Sequence, residues 1–383
     1  MWWQFSIDPV QLVVWLVPLL ALLYAVVWRA SYRSWVTWTA VLTLALLMLG
    51  AYVRLTDAGL GCPVWPGCYR QLTPLQASSD IQAAEQAAPQ GPVTMPKAWK
   101  EMVHRYLATV VGAMIVGLLI RAWLARVRGA GRHVARMYAG DEGAGGGDDW
   151  RVNGARDAWL LLILLAVVIL QGLFGKWTVT LLLKPAIVTG HLIGGMLVFA
   201  LLVWLWQRQQ PDTRLVDPEP LAVLAAPALI GVLLVAAQVA LGGWVSTNYA
   251  ALACTDFPLC QGRLIPEMNF GDAFHVLREL GMTGEGELLP LTALTAMHWT
   301  HRVMAVLLLA YLLWLGARSA RAGERPLAAL LLAVLGVQWL LGISNVLMSL
   351  PLAIAVMHNG GAALLLALVL LLYFRALRAR LRV

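Results

Sequence analysis

Along this chain, apolar residues gather in long blocks and polar residues are confined to the stretches between them. Nine blocks stand out, over 11–28, 35–54, 104–124, 157–176, 186–206, 221–244, 297–316, 326–344 and 352–373. Each is close to the roughly 20 residues that carry an α-helix across about 30 Å of hydrocarbon. The short alternating segments of a transmembrane barrel do not occur in the pattern. An all-α polytopic membrane protein is predicted, because helices satisfy their backbone groups internally where no water can.

Composition agrees. The 383 residues are 60% hydrophobic and 13% charged, the charged share being about half that of soluble domains. A net charge of +8 would suit a nucleic-acid partner, but its placement argues otherwise. Arg29 and Arg33 follow the first block, and Arg121, Arg126, Arg128, Arg132 and Arg136 the third. Arg208 and Arg214 follow the fifth, Arg318, Arg321 and Arg325 the seventh, and Arg375, Arg378, Arg380 and Arg382 the ninth. Every second connection is arginine-rich, the mark of cytoplasmic loops. The N-terminus and segments 55–103 and 245–296 are therefore expected outside and the C-terminus in the cytoplasm, with no nucleic-acid partner. The leader MWWQFSIDPV has no basic residue and no small-residue cleavage site follows it. Block one thus reads as a retained helix and not a signal peptide.

The chain also repeats itself. GAYVRLTDAGLGCPVWPGCYRQLTP (50–74) aligns without gaps on GGWVSTNYAALACTDFPLCQGRLIP (242–266), an offset of 192. His104-Arg105 matches His301-Arg302 at offset 197, and 171–195 matches 338–362 at offset 167. The fall of 30 in offset sits in the Gly/Asp/Arg-rich segment 129–156, predicted to be a mobile inside loop. The expected architecture is two tandem four-helix bundles in one orientation, related by a pseudo-two-fold axis along the membrane normal. Residues 1–34 are expected to form an extra N-terminal transmembrane helix, 35–210 the first unit and 211–383 the second.

Four of the seven histidines, His104, His191, His301 and His358, fall one to a helix on helices running outside to inside. Each is predicted within about the first two turns, so all four imidazoles share a depth near the outer face. A lone intramembrane histidine is usually an interhelical hydrogen-bonder. Four, duplicated as His104/His191 and His301/His358, point to ligation. Two imidazoles from facing helices suit the axial positions of a haem iron and are too few for a structural zinc. Gly194, Gly195, Gly360 and Gly361 follow two of the histidines. They would let a flat macrocycle approach, or else serve ordinary helix packing. The halves differ where Glu101 corresponds to His298. Three residues before His104 on a helix, Glu101 is expected to face the same pocket. It would hold a proton, stabilise positive charge or position water, or simply favour the helix dipole.

Cys62/Cys68 and Cys254/Cys260 form two C-x5-C pairs in outer loops, predicted to close as one disulfide per loop that staples it over the sites, with a redox role for Cys62/Cys68 as the alternative. Arg54, Arg70, Arg105 and Arg302 lie near the outer surface. They would pair with haem propionates or anchor helix ends at the headgroups.

Taken together, YVRLTDAGLGCPVWPGC (52–68), E-x-x-H-R (101–105), GHLIGG (190–195), the second HR (301–302) and MHNGG (357–361) resemble the haem A synthase family over about 35–375. The resemblance implies oxidation of the C8 methyl of haem O to a formyl group, through hydroxylated intermediates, for aa3-type oxidases. It implies His104 and His191 as axial ligands of substrate haem O, His301 and His358 as those of a resident haem b, and Glu101 as catalytic. It further implies a bacterial cytoplasmic (inner) membrane location, haem O handed over by a haem O synthase, and a membrane electron acceptor; self-association is left open. The rival readings are a non-enzymatic diheme membrane cytochrome and a haem transporter or chaperone. The family has eight spans, so the front helix and the insertion are departures from its pattern.

Overall fold

The computed structural model describes residues 31–139, 157–210 and 218–383. The helix predicted over 11–28 and residues 140–156 of the insertion lie outside them. Eight described helices are long and apolar enough to cross a membrane. They are α1 (Tyr32–Leu55), α2 (Met95–Ala139), α3 (Ala158–Thr180), α4 (Pro185–Arg208), α5 (Ala225–Thr247), α6 (Leu291–Arg321), α7 (Arg325–Leu347) and α8 (Leu352–Arg380). Local chemistry starts several of them. Ser31 caps α1 by accepting the Ser34 N–H at 3.0 Å, and proline occupies the first turn of α4 and α7, where its missing N–H costs nothing.

Two boundaries differ from the sequence reading. α2 begins at Met95 and α6 at Leu291, each well before its apolar block. Hydropathy registers only the part of a helix that crosses lipid, whereas these helices continue outward to pack on an outer loop. Ala98 and Met102 of α2 are buried there with Cys62, Cys68, Ala77 and Ile81. At its other end α2 runs on to Ala139, so residues 129–139 of the insertion are helical and not loop; alanine and arginine there favour the helix.

Helices α1 to α4 pack as a closed ring, each touching the next and α4 returning to α1; α5 to α8 do the same. The rings meet where α4 touches α5 and α8, and α8 touches α1. α8 lies at the centre and buries thirteen of its residues, whereas α3 at the periphery buries three. Met196, Phe199 and Val203 of α4 share one core with Val235 and Val239 of α5 and Leu365, Leu366 and Val369 of α8. In lipid such packing gains little from the hydrophobic effect and depends on close fit.

The two-fold relation holds at the level of single contacts. On the inner side Arg208 pairs with Asp157, and its repeat mate Arg375 pairs with Glu324, the mate of Asp157, at 2.7 Å. On the outer side Arg54 donates to the Ser246 carbonyl at 2.7 Å, and Tyr249 donates to Asp57 at 2.8 Å. Both of these contacts have a sequence separation of 192, the repeat offset itself. Each residue therefore meets its own counterpart, which is consistent with a two-fold axis between the rings.

Candidate functional site

Every one of the four histidines faces a glycine on the helix before it. A Cβ on Gly50 of α1 would lie 3.1 Å from His104 Nε2, and one on Gly242 of α5 would lie 3.0 Å from His301 Cε1. On Gly175 of α3 it would be 3.4 Å from His191 Cε1, and on Gly342 of α7 it would be 3.2 Å from His358 Cε1. The imidazoles thus occupy space that any larger residue would contest. Within each half the two histidines stand on helices of one ring, His104 on α2 and His191 on α4, His301 on α6 and His358 on α8. With α2 beginning at Met95 and α6 at Leu291, His104 and His301 sit in the third helical turn, deeper along the helix than their apolar blocks imply.

One turn before the facing glycine, three of the four helices carry glutamine. Gln238 Nε2 lies 3.1 Å from His301 Nδ1 and donates to the His301 carbonyl at 3.1 Å. Gln338 Nε2 donates to the His358 carbonyl at 3.0 Å. Gln171 and Gln338 pack against Gly194 and Gly361. Gly195 and Gly360 likewise admit Leu47 Cδ2 and Met48 Sδ, each 3.0 Å from a built Cβ. The glycines after the histidines therefore serve helix packing, and those facing the rings were not assigned from sequence. Their signal was available in the repeat, which pairs Gly50 with Gly242 and Gly175 with Gly342.

Glu101 is buried at 4% exposure, yet its oxygens are directed at the outer loop. One accepts the Cys62 N–H at 2.9 Å and the other pairs with Arg105. In the second half His298 takes the same post: its Nδ1 accepts the Cys254 N–H at 3.3 Å and its Nε2 lies 3.2 Å from Arg302 Nε. Sharing a helix face with His104 does not bring the carboxylate to the ring, because the loop claims it first. Seven residues into α2, Glu101 also lies beyond the first turn, where the helix dipole acts.

The two arginines clamp the disulfide loops. Arg105 donates to the carbonyls of Val64 at 3.0 Å, Gly67 at 2.9 Å and Cys62 at 3.1 Å. Arg302 donates to Asp256 at 2.8 Å, Leu259 at 2.9 Å and Cys254 at 2.7 Å. Only a guanidinium offers so many donors in one plane. Both cysteine pairs are closed, Cys62–Cys68 with Cα atoms 4.8 Å apart and Cys254–Cys260 with 4.7 Å. Arg54 is spent on Ser246 and on the ring of Tyr249, 3.9 Å from its centroid. Burial pushes the Tyr249 hydroxyl up from its ordinary range, more than Arg54 draws it back, so it stays protonated and donates to Asp57. Arg54, Arg105 and Arg302 are thus engaged by the protein itself. His275 lies in the outer loop, where its carbonyl accepts from Arg278 at 3.1 Å.

The residues fit a haem in each half. His191 Nδ1 and His358 Nδ1 are buried without a hydrogen-bond partner, which is costly unless a ligand gives the ring a purpose. Among the described residues no three of His, Cys, Asp and Glu converge as a metal set, so a bound iron would need a macrocycle for its other ligands.

Comparison with known proteins bears on the same residues. A family model described as cytochrome oxidase assembly protein, COX15-CtaA, matches residues 33–370. The chain belongs to the COX15-CtaA family. Among its relatives, a haem A synthase of Shewanella oneidensis is 36% identical over 88% of this chain and 94% of its own. Another, of Bradyrhizobium, is 30% identical over 89% of this chain and 90% of its own. A third, of Hyphomonas neptunium, is 26% identical over 86% and 88%. The COX15-CtaA match spans residues 33–370 and so includes all four histidines.

Proposed function

We propose that this chain is a haem A synthase. The observation that carries the reading is the pair of equivalent histidine pockets in which Glu101 and His298 hold the same post of the loop clamp. In this reading the first unit, 35–210, takes haem O between His104 and His191, and the second, 211–383, keeps haem b between His301 and His358. The protein sits in the bacterial inner membrane with its sites toward the outer side and its C-terminus in the cytoplasm.

The substrate change is from a methyl to a formyl group. Water supplies the oxygen: the methyl is oxidised to an alcohol and then to a gem-diol, which loses one water. The net change from methyl and one water to aldehyde releases four electrons and four protons. The resident haem b supplies one-electron redox capacity. The electrons leave to a membrane acceptor, and haem O arrives from a haem O synthase. The residues of this chain hold the two macrocycles, exclude lipid and manage protons. Glu101 is proposed to take a proton from, or offset positive charge on, the reacting carbon once substrate engages the loop that holds it. A carboxylate suits this role and the His298 imidazole of the other half does not, since only the former carries negative charge to meet a developing cation.

Co-expression with a haem O synthase, followed by acid extraction and chromatography of the haems, tests the reading. A formyl haem appearing only when the chain is present is expected. Haem b and unreacted haem O alone, at normal protein levels, would place the protein among carriers or chaperones.

A further inference from the structure

One of the four histidine posts lacks its glutamine. On α3, α5 and α7 the residue one turn before the facing glycine is Gln171, Gln238 or Gln338; on α1 it is Leu46. Leu46 sits at the position equivalent to Gln238, whose amide reaches both the ring and the carbonyl of His301. A leucine offers neither a donor nor an acceptor there. The ring is also turned over relative to the other three. His191, His301 and His358 present Cε1 to their glycines, whereas His104 presents Nε2, with Cδ2 next at 3.7 Å from a built Cβ on Gly50.

Partners beyond the ligand fix ring orientation and strengthen metal binding about 10–100-fold. We infer that His104 is the releasable ligand of the first pocket and that Leu46 keeps it so. This rests on the reading that His104 and His191 hold the substrate haem and adds to it a division of labour. A resident haem needs two firmly oriented rings, and the second half has glutamine at both posts. A substrate must arrive and a product must leave, and the first half has glutamine at only one. Gln171, which packs on Gly194 at the position equivalent to Gln338, marks His191 as the anchor, and His104 lets go. Leu46 acts as a positioning residue through His104 and need not touch the macrocycle.

The test is haem transfer from the purified full-length protein, loaded by co-expression with haem O synthase, to excess apomyoglobin. Transfer is followed by absorbance, and the haems remaining are identified after extraction. In the wild type, substrate-type haem should leave at least about tenfold faster than haem b. Leu46→Gln should slow that loss about tenfold and sharpen the low-spin absorption of the first site, leaving haem b loss unchanged. Gln238→Leu should do the reverse at the second site, speeding haem b loss about tenfold with a shift toward high spin. Leu46→Met, which adds no donor, should behave as wild type.

Unchanged first-site loss in a folded Leu46→Gln protein, or an equal slowing of both haems, overturns the inference. If Leu46→Gln does not fold, Gln238→Leu decides: unaltered haem b loss and spin state there also overturns it. His104→Ala and His191→Ala separate this from failure of the underlying reading. If neither removes haem from the first site, the site assignment itself is wrong. If both do and Leu46→Gln still has no effect, only the division of labour fails.

Discussion

Glu101 shows how far a single side chain can be read. Its i, i+3 spacing from His104 is correct, and both residues lie on α2, but the carboxylate is bound to the Cys62 N–H and Arg105. Spacing along a helix selects a face and not the partner met on that face. Here a loop folded back by Arg105 supplies a backbone donor that no periodicity contains. The duplicate makes a clean experiment available. His298 already fills this post in the same chain, accepting from Cys254 and facing Arg302. Glu101→His should therefore keep the loop, the fold and the haem b spectrum. It should also lower formyl-haem production about 100-fold or more, the scale of a lost acid–base group. Normal haem A yield in the purified variant would reduce Glu101 to a loop fastener.

At the scale of elements, the sequence carried most of the architecture. Eight apolar blocks became eight helices in the expected order, because a backbone in lipid has few alternatives to the helix. What it could not carry were the extensions of α2 and α6 beyond the hydrocarbon and the partners of each glycine. The glycines beside the histidines in sequence proved to admit Gln171, Leu47, Met48 and Gln338, and those that matter to the rings lie on the preceding helix. Helix register between neighbours decides this, and apolar periodicity says nothing about it. Adding one methyl group sorts the glycines. Gly242→Ala and Gly342→Ala would press Cβ to 3.0 and 3.2 Å from a histidine ring carbon. An overpacked site of this kind costs about 1–3 kcal/mol, so each should shift the ring and lose low-spin haem absorption. Gly172→Ala and Gly336→Ala meet nothing within 4 Å. They should leave the spectrum intact and add up to about 1 kcal/mol of helix stability, readable as a higher thermal midpoint in detergent.

For the whole molecule, the repeat was legible as sequence, but how the two halves lie against each other was not. Arg54 resembles an interfacial anchor when read alone; in the fold it reaches across to the Ser246 carbonyl and stacks on Tyr249. A charged hydrogen bond of this kind contributes about 1.5–3 kcal/mol. Arg54→Ala should therefore lower the unfolding midpoint followed by tryptophan fluorescence, and haem should be released from both halves in the same transition. Loss of haem from the first half alone would show that the contact serves only its own loop.

The contacts of Arg54 with Ser246 and of Tyr249 with Asp57 also bear on ancestry. Two separate copies of a single half, assembled about a two-fold axis, would have to set each such position against itself. An arginine there would confront an arginine, and an aspartate an aspartate. In one polypeptide the two positions are free to differ, and they hold a cation against a carbonyl and a phenol against a carboxylate. The same freedom let one pocket take Glu101 and Leu46 while the other took His298 and Gln238. A dimer of identical halves would give both pockets the same residues, and so could not hold the two haems of the proposed reading differently.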